Sequence, residues 1–260
     1  MGQNMVGWLA VELEGRKDRP VRLRFAETLQ DDGNLYVDNL RGAKATDLYT
    51  PAEDGTFSWT PRFTYHGFRY VATAGAAAKP DLEKLKGEVI YDAMPTTGRF
   101  ETSDSTINQV YRNAYWGLRG NYRSMPTDCP QREKNGWTAD AALAIDLALL
   151  NYDGILFYEK WFDDVADNIR EDGRIAGIIP TSSWGYDDWI GPVWDASILI
   201  IPNAIYNYYG DKRTIEKIYP TVEKYLTYLK TREDSTGLVT YGIGDWVFYK
   251  TQTPTAYTSS

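Results

Sequence analysis

Asp128-Cys129-Pro130-Gln131-Arg132-Glu133-Lys134-Asn135-Gly136-Trp137-Thr138-Ala139-Asp140 puts three carboxylates, an arginine and a tryptophan on one loop running into a helix. Breaking a glycosidic bond needs a carboxylic acid to protonate the leaving oxygen and a second carboxyl group acting at the anomeric carbon or on water. An aromatic ring commonly walls the sugar, because flat rings pack on the apolar face of a pyranose. The proton donor and the ring are both present in this stretch. A plainer reading stays open on residue types alone: acidic side chains before and inside a first helical turn also cap the helix and complement its dipole.

Bulk composition narrows the partners. A net charge of −8 over 260 residues opposes any general affinity for nucleic acid, which rewards clustered Lys and Arg. One cysteine and one histidine supply neither an internal disulfide nor a zinc or iron cluster, while carboxylates could still hold a calcium ion; no cofactor is expected to be required. No stretch approaches the roughly 20 apolar residues of a membrane helix, and no basic-then-apolar leader opens the chain, which leaves the compartment undetermined. Nine Trp and twenty Tyr are numerous, which suits both sugar stacking and core packing.

The elements that must position the loop fall into two kinds. From Trp8 to about Asp92 the apolar period is two, with Leu9, Val11 and Leu13 facing one way and Glu12 and Glu14 the other, and Val21, Leu23 and Phe25 alternating with Arg22 and Arg24. Turn residues at Asp31-Asp32-Gly33-Asn34 and Glu53-Asp54-Gly55 punctuate these strands, so the pattern predicts an antiparallel sandwich. Beyond a boundary near residue 97 the period becomes helical. Ile107, Val110, Tyr111, Ala114 and Leu118 share a stripe behind a Thr102-Ser103-Asp104-Ser105 capping cluster, and further helices are expected over about 138–151, 155–170, 196–209 and 213–230. The loops 123–137 and 171–195 are long for helix connections, and such loops tend to carry function.

The loop sequence from Asp128 to Asp140 resembles the signature of bacterial α-L-rhamnosidases of glycoside hydrolase family 78. Gly2-Gln3-Asn4-Met5-Val6-Gly7-Trp8, Asn39-Leu40-Arg41-Gly42-Ala43-Lys44-Ala45-Thr46-Asp47 and Pro61-Arg62-Phe63-Thr64-Tyr65-His66-Gly67-Phe68-Arg69-Tyr70 are similar to that family's β-sandwich, in the same order. The resemblance implies a multidomain α and β chain: a β-sandwich over 1–97, then the N-terminal part of an (α/α)6 six-hairpin catalytic domain over 98–260. It also implies an inverting hydrolase releasing terminal α-L-rhamnose from a rhamnose-containing oligosaccharide or glycoside. Carried over by position, Glu133 is the general acid, Asp128 and Asp140 hold sugar hydroxyls, and Trp137 walls the subsite. Arg132 is assigned to an ion pair or to substrate, on the expectation that neighbouring side chains in an extended loop point apart. Trp184, Trp194, Asp195 and Trp246 are expected to line the pocket, with Trp189 as a further candidate.

Two departures qualify the likeness. The family's general base is a glutamate in a part of the barrel that these residues do not include, and five helices cannot close six hairpins. A truncated enzyme with little activity of its own is therefore expected, with self-association through an incomplete barrel. In Pro192-Val193-Trp194-Asp195-Ala196 a glycine common between the Trp and the Asp is missing, which leaves the placement of Asp195 open. Another (α/α)6 glycosidase and a noncatalytic carbohydrate-binding or structural remnant are the competing readings. Simpler roles are expected elsewhere: His66 as a satisfied structural histidine, Cys129 as a packing residue, and Asp187-Asp188 as a solvated turn.

Overall fold

The computed structural model describes residues 1–181, 184–186 and 190–243. They form two compact units. One comprises Met1–Asp92 with Arg119–Arg123 and Cys129–Lys134, and the other takes the remaining described residues from Ala93 onward.

The first unit contains β1 (Met5–Gly15), β2 (Val21–Ala26), β3 (Thr28–Leu29), β4 (Leu35–Tyr36), β5 (Thr46–Tyr49), β6 (Gly55–Trp59), β7 (His66–Phe68), β8 (Tyr70–Ala74) and β9 (Leu85–Val89). The alternation read from the sequence decides which face is buried: Leu9, Val11 and Leu13 of β1 and Val21, Leu23 and Phe25 of β2 are all inside. β1 heads one sheet, pairing antiparallel with β6, β7 and β9, and β2 heads the other between β5 and β8. Side chains of β1 and β2 meet in one apolar core with Leu40 and Phe68, which makes the unit a sandwich. Gly7 pairs with both His66 and Val89, and Val11 with both Trp59 and Leu85. β6 and β7 therefore share one side of β1 while β9 takes the other, and the chain between Trp59 and His66 loops out of the ladder.

The second unit is helical, with α1 (Ser105–Asn121, its last residues counted with the first unit), α2 (Thr138–Asn151), α3 (Ile155–Asn168), α4 (Pro192–Asp195), α5 (Ser197–Tyr209) and α6 (Arg213–Lys230). Asp104 caps α1 as its position before the helix predicts, its Oδ1 accepting from the N–H of Thr106 at 2.7 Å and of Ile107 at 3.2 Å. α2 packs against α5, α5 against α6, and α3 against α6. The large side chains Tyr158, Trp161, Phe162 and Tyr225 are fully buried there. The expected helix forms, with Ile107 and Val110 of its stripe exposed and its buried side toward Leu118. Among the described residues no helix is long and apolar enough to cross a membrane.

Candidate active site

The signature loop is closed by backbone rungs. The N–H of Asp128 donates to the carbonyl of Asn135 at 3.0 Å, and the Asp128 Oδ1 accepts from the Asn135 N–H at 3.0 Å. One step in, the Lys134 N–H donates to the Cys129 carbonyl at 3.0 Å, and the Glu133 N–H reaches the Cys129 sulfur at 3.4 Å. Cys129 thus serves as a turn residue with a soft acceptor. Asp128, assigned to substrate from sequence, also braces the loop that carries Glu133.

Within the sandwich unit, the segment Cys129–Lys134 is gripped by the very motifs that the sequence sets apart. Arg132 donates to the carbonyl of Asn39 at 3.2 Å, and the Arg41 guanidinium lies 3.3 Å from Glu133 Oε1. Lys134 donates through Nζ to the Tyr65 carbonyl at 2.5 Å, and Arg123 lies 3.8 Å over the Tyr65 ring. Burial, then the nearby Arg123 charge, pushes the Lys134 pKa down. Gly67 eases this approach, because a Cβ on it would stand 3.0 Å from Gln131 Cβ and 3.2 Å from the Gln131 nitrogen, close enough that the neighbour would have to give way slightly. His66 is structural, buried 2.8 Å from Asp47 and stacked on Phe25 at 4.2 Å, but it is only half satisfied: among the described residues its Nδ1 and the Asp47 Oδ2 have no hydrogen-bonding partner.

Glu133 is neither sealed nor in bulk water: 30% of its side chain is exposed. Arg132 Nε stands 3.8 Å from the same Oε1, so the two neighbours converge instead of pointing apart. The reason is local, since residues 130–133 form a turn and not an extended strand. Arg41, whose side chain is 62% exposed, is legible in the sequence only as part of a sandwich motif. Its backbone has φ +52°, a left-handed conformation uncommon for a side-chain-bearing residue. An exposed ion pair of this kind contributes about 0–1 kcal/mol, so Arg41 orients the carboxyl more than it stabilises the fold.

Within the helical unit, Gly136-Trp137-Thr138 lies against residues 177–179. The Ile179 N–H donates to the Gly136 carbonyl at 2.8 Å, and the Thr138 N–H donates to the Gly177 carbonyl at 2.9 Å. The Thr138 hydroxyl reaches that carbonyl too, at 3.2 Å. A Cβ on Gly136 would sit 2.0 Å from the Ile179 carbonyl oxygen, so only glycine permits this approach. The strap so formed presents Trp137 to two further rings, Trp184 edge-on at 5.9 Å and Trp194 at 6.5 Å. Trp184 is exposed and Trp194 buried, so the cluster runs from surface to core. Asp140 follows in the first turn of α2, half-buried.

Asp195 closes α4 and is 3% exposed. Burial raises its pKa to about 8, while the Tyr225 hydroxyl pulls the other way. That interaction falls short of a well-formed hydrogen bond: among the described residues Asp195 Oδ1, the Tyr225 hydroxyl and Trp194 Nε1 have no hydrogen-bonding partner. Asp195 is thus buried next in sequence to Trp194, one ring of the tryptophan cluster. Trp189, Trp246 and the Asp187-Asp188 pair lie outside the described residues.

Comparison with known proteins gives this arrangement a context. The profile of the bacterial alpha-L-rhamnosidase 6 hairpin glycosidase domain matches residues 95–260, and that of the bacterial alpha-L-rhamnosidase concanavalin-like domain matches residues 1–91. An alpha-L-rhamnosidase of Streptomyces avermitilis is 37% identical over 98% of this chain and 25% of its own length. The structure of the Dictyoglumus thermophilum alpha-L-rhamnosidase superposes with a TM-score of 0.90 at 37% identity, covering 97% of this chain and 29% of that one. The Streptomyces avermitilis enzyme complexed with L-rhamnose gives 0.88 at 36% identity, covering 98% and 25%. The chain thus spans about a quarter of the length of the curated relatives it matches. With both domain profiles matched in order, and a β-sandwich preceding a helical unit as in these structures, the chain belongs to the bacterial alpha-L-rhamnosidase family.

Proposed function

We propose that this chain carries the proton-donating side of an inverting α-L-rhamnosidase acting on terminal α-L-rhamnosyl units. Glu133 delivers its proton to the glycosidic oxygen as the bond to the anomeric carbon breaks. A carboxylate contributed by another part of the full-length protein takes a proton from water, which attacks the opposite face of the sugar. Asp128 and Asp140 hold sugar hydroxyls, and Trp137 packs on the ring and its methyl group. Arg132 keeps Glu133 company in an ion pair. The proposed working division of the chain lies near residue 97.

The observation that carries this reading is the seating of Glu133: half-buried, on a turn braced by Asn135 and Cys129 and oriented by Arg41. Hydrolysis of 4-nitrophenyl α-L-rhamnoside by the full-length protein, followed by NMR, tests it. The first product expected is β-L-rhamnose, and release of the α-anomer, or a preference for the α-D-glucoside, contradicts the reading. The 260-residue chain, which spans about a quarter of its relatives' length, is expected to turn over little, because the resemblance assigns the water-activating base to a part of the barrel outside the matched quarter; normal turnover from the purified chain would show otherwise.

Exposed apolar side chains on the helices, among them Leu143, Leu150, Leu156 and Ile200, support a further proposal that the isolated chain self-associates. Light scattering reporting a well-behaved monomer would count against it.

A further inference from the structure

Lys134 directly follows the proposed proton donor, and its side chain is half-buried within the sandwich unit. Nζ donates to the Tyr65 carbonyl at 2.5 Å and lies 4.5 Å from the centre of the Tyr65 ring, over which Arg123 stands at 3.8 Å. We propose that Lys134 is a positioning residue: it latches the Glu133 turn to the segment 65–67 and so fixes where the Glu133 carboxyl presents its proton. The proposal rests on the reading of Glu133 as general acid.

Three observations carry it. First, the backbone of Lys134 has φ +58°, a left-handed conformation that a side-chain-bearing residue keeps only where its surroundings hold it. This residue closes the turn, its N–H donating to the Cys129 carbonyl at 3.0 Å while the Glu133 N–H reaches the Cys129 sulfur at 3.4 Å. Second, the seat is fixed. His66, between the two residues that meet the loop, is buried, 2.8 Å from Asp47 and stacked on Phe25 at 4.2 Å, and Gly67 lies against Gln131. A latch onto a mobile carbonyl would position nothing. Third, the ammonium has a counter-charge inside the unit. Burial and Arg123 oppose it, whereas Asp47, whose Oδ2 has no hydrogen-bonding partner among the described residues, favours it. A charged donor bonds a carbonyl more strongly than a neutral one, and a ring face adds to the hold. Arg41 reaches the same turn from solvent, where salt screens it, so the half-buried lysine is the firmer of the two.

Leaving-group dependence in the full-length protein tests the latch through Lys134→Met, which keeps the stem and removes the charge and the donor. Misplacing the acid should lower kcat on an alkyl α-L-rhamnoside by about 10–100-fold, and by less than about threefold on the 2,4-dinitrophenyl rhamnoside, whose departure needs no proton. KM should stay within about threefold on both. Lys134→Arg, which retains a charged donor, should recover part of the loss. Tyr65→Leu, which keeps the carbonyl but removes the ring, should show the same selectivity at smaller size, and it decides the matter should Lys134→Met not accumulate. The ratio of the two kcat values does not depend on how much of a variant folds, so partial misfolding does not imitate the effect. Unchanged kcat, or an equal loss on both substrates, would overturn the proposal while Glu133→Gln remains selective for the alkyl rhamnoside. Absence of that selectivity in Glu133→Gln would instead overturn the proton-donor reading beneath it.

Discussion

Two neighbouring segments of one loop are held by opposite means. Cys129–Lys134 belongs to the sandwich unit and is secured by polar contacts from residues about ninety positions earlier, Arg41 to Glu133 and Asn39 to Arg132. Gly136–Thr138 belongs to the helical unit and is secured by close backbone packing against 177–179, with its ring in a cluster of tryptophans. A proton donor must keep its carboxyl oriented yet free to change protonation, which ion pairs and turns allow. A sugar wall must hold a flat surface still, which dense apolar packing provides. In the proposed reading, the proton donor is carried by the sandwich unit.

In the full-length protein, Glu133→Gln should lower kcat by about 10³-fold while KM stays within about tenfold, because the acid acts on the transition state. Equal loss in both would make Glu133 a binding residue. Gly136→Ala should destabilise the chain by about 2–3 kcal/mol in urea unfolding, since its Cβ meets the Ile179 carbonyl at 2.0 Å. A neutral result would mean that the strap shifts freely. Trp137→Ala should raise KM about tenfold more than it lowers kcat, the reverse of the Glu133 pattern.

Asp195 supplies a pH test of the buried side of the cluster. Its folded pKa of about 8 exceeds the ordinary 3.8, so between these values the folded state keeps a proton that the unfolded state gives up. Its contribution is full below about pH 4 and is lost as pH rises through about 8. Thermal unfolding from pH 4 to 9 should show Asp195→Asn with a flatter decline than wild type; parallel curves would mean that Asp195 ionises without cost. The smallest effect is at Arg41: Arg41→Ala should lower kcat only a few-fold at unchanged KM, with Arg41→Lys recovering part of it, because the pair is exposed and screened.

Much of the framework is legible from periodicity. The inward face of β1 and β2, the cap at Asp104 and the spans of α2 and α6 follow from local pattern, where side-chain spacing and burial are the same fact. The Gly136-Trp137-Thr138 strap can be recognised as a motif, but not its reason, because the Ile179 carbonyl that demands glycine lies far along the chain. Arg41 is hidden from sequence reasoning for the same cause: its partner is 92 residues away, and nothing in Asn39-Leu40-Arg41-Gly42 distinguishes a surface arginine from one aimed at a carboxylate. The expected divergence of Arg132 and Glu133 treats a turn as extended chain. Ile107 and Val110 keep helical spacing yet are exposed, since periodicity reveals a stripe but not whether anything covers it.

The most direct test of Glu133 as proton donor is leaving-group dependence in the full-length protein. Glu133→Gln should lose about 10³-fold in kcat on an alkyl α-L-rhamnoside, whose oxygen must be protonated to leave, and far less on the 2,4-dinitrophenyl rhamnoside, whose leaving group needs no acid. An equal loss on both substrates would contradict the account.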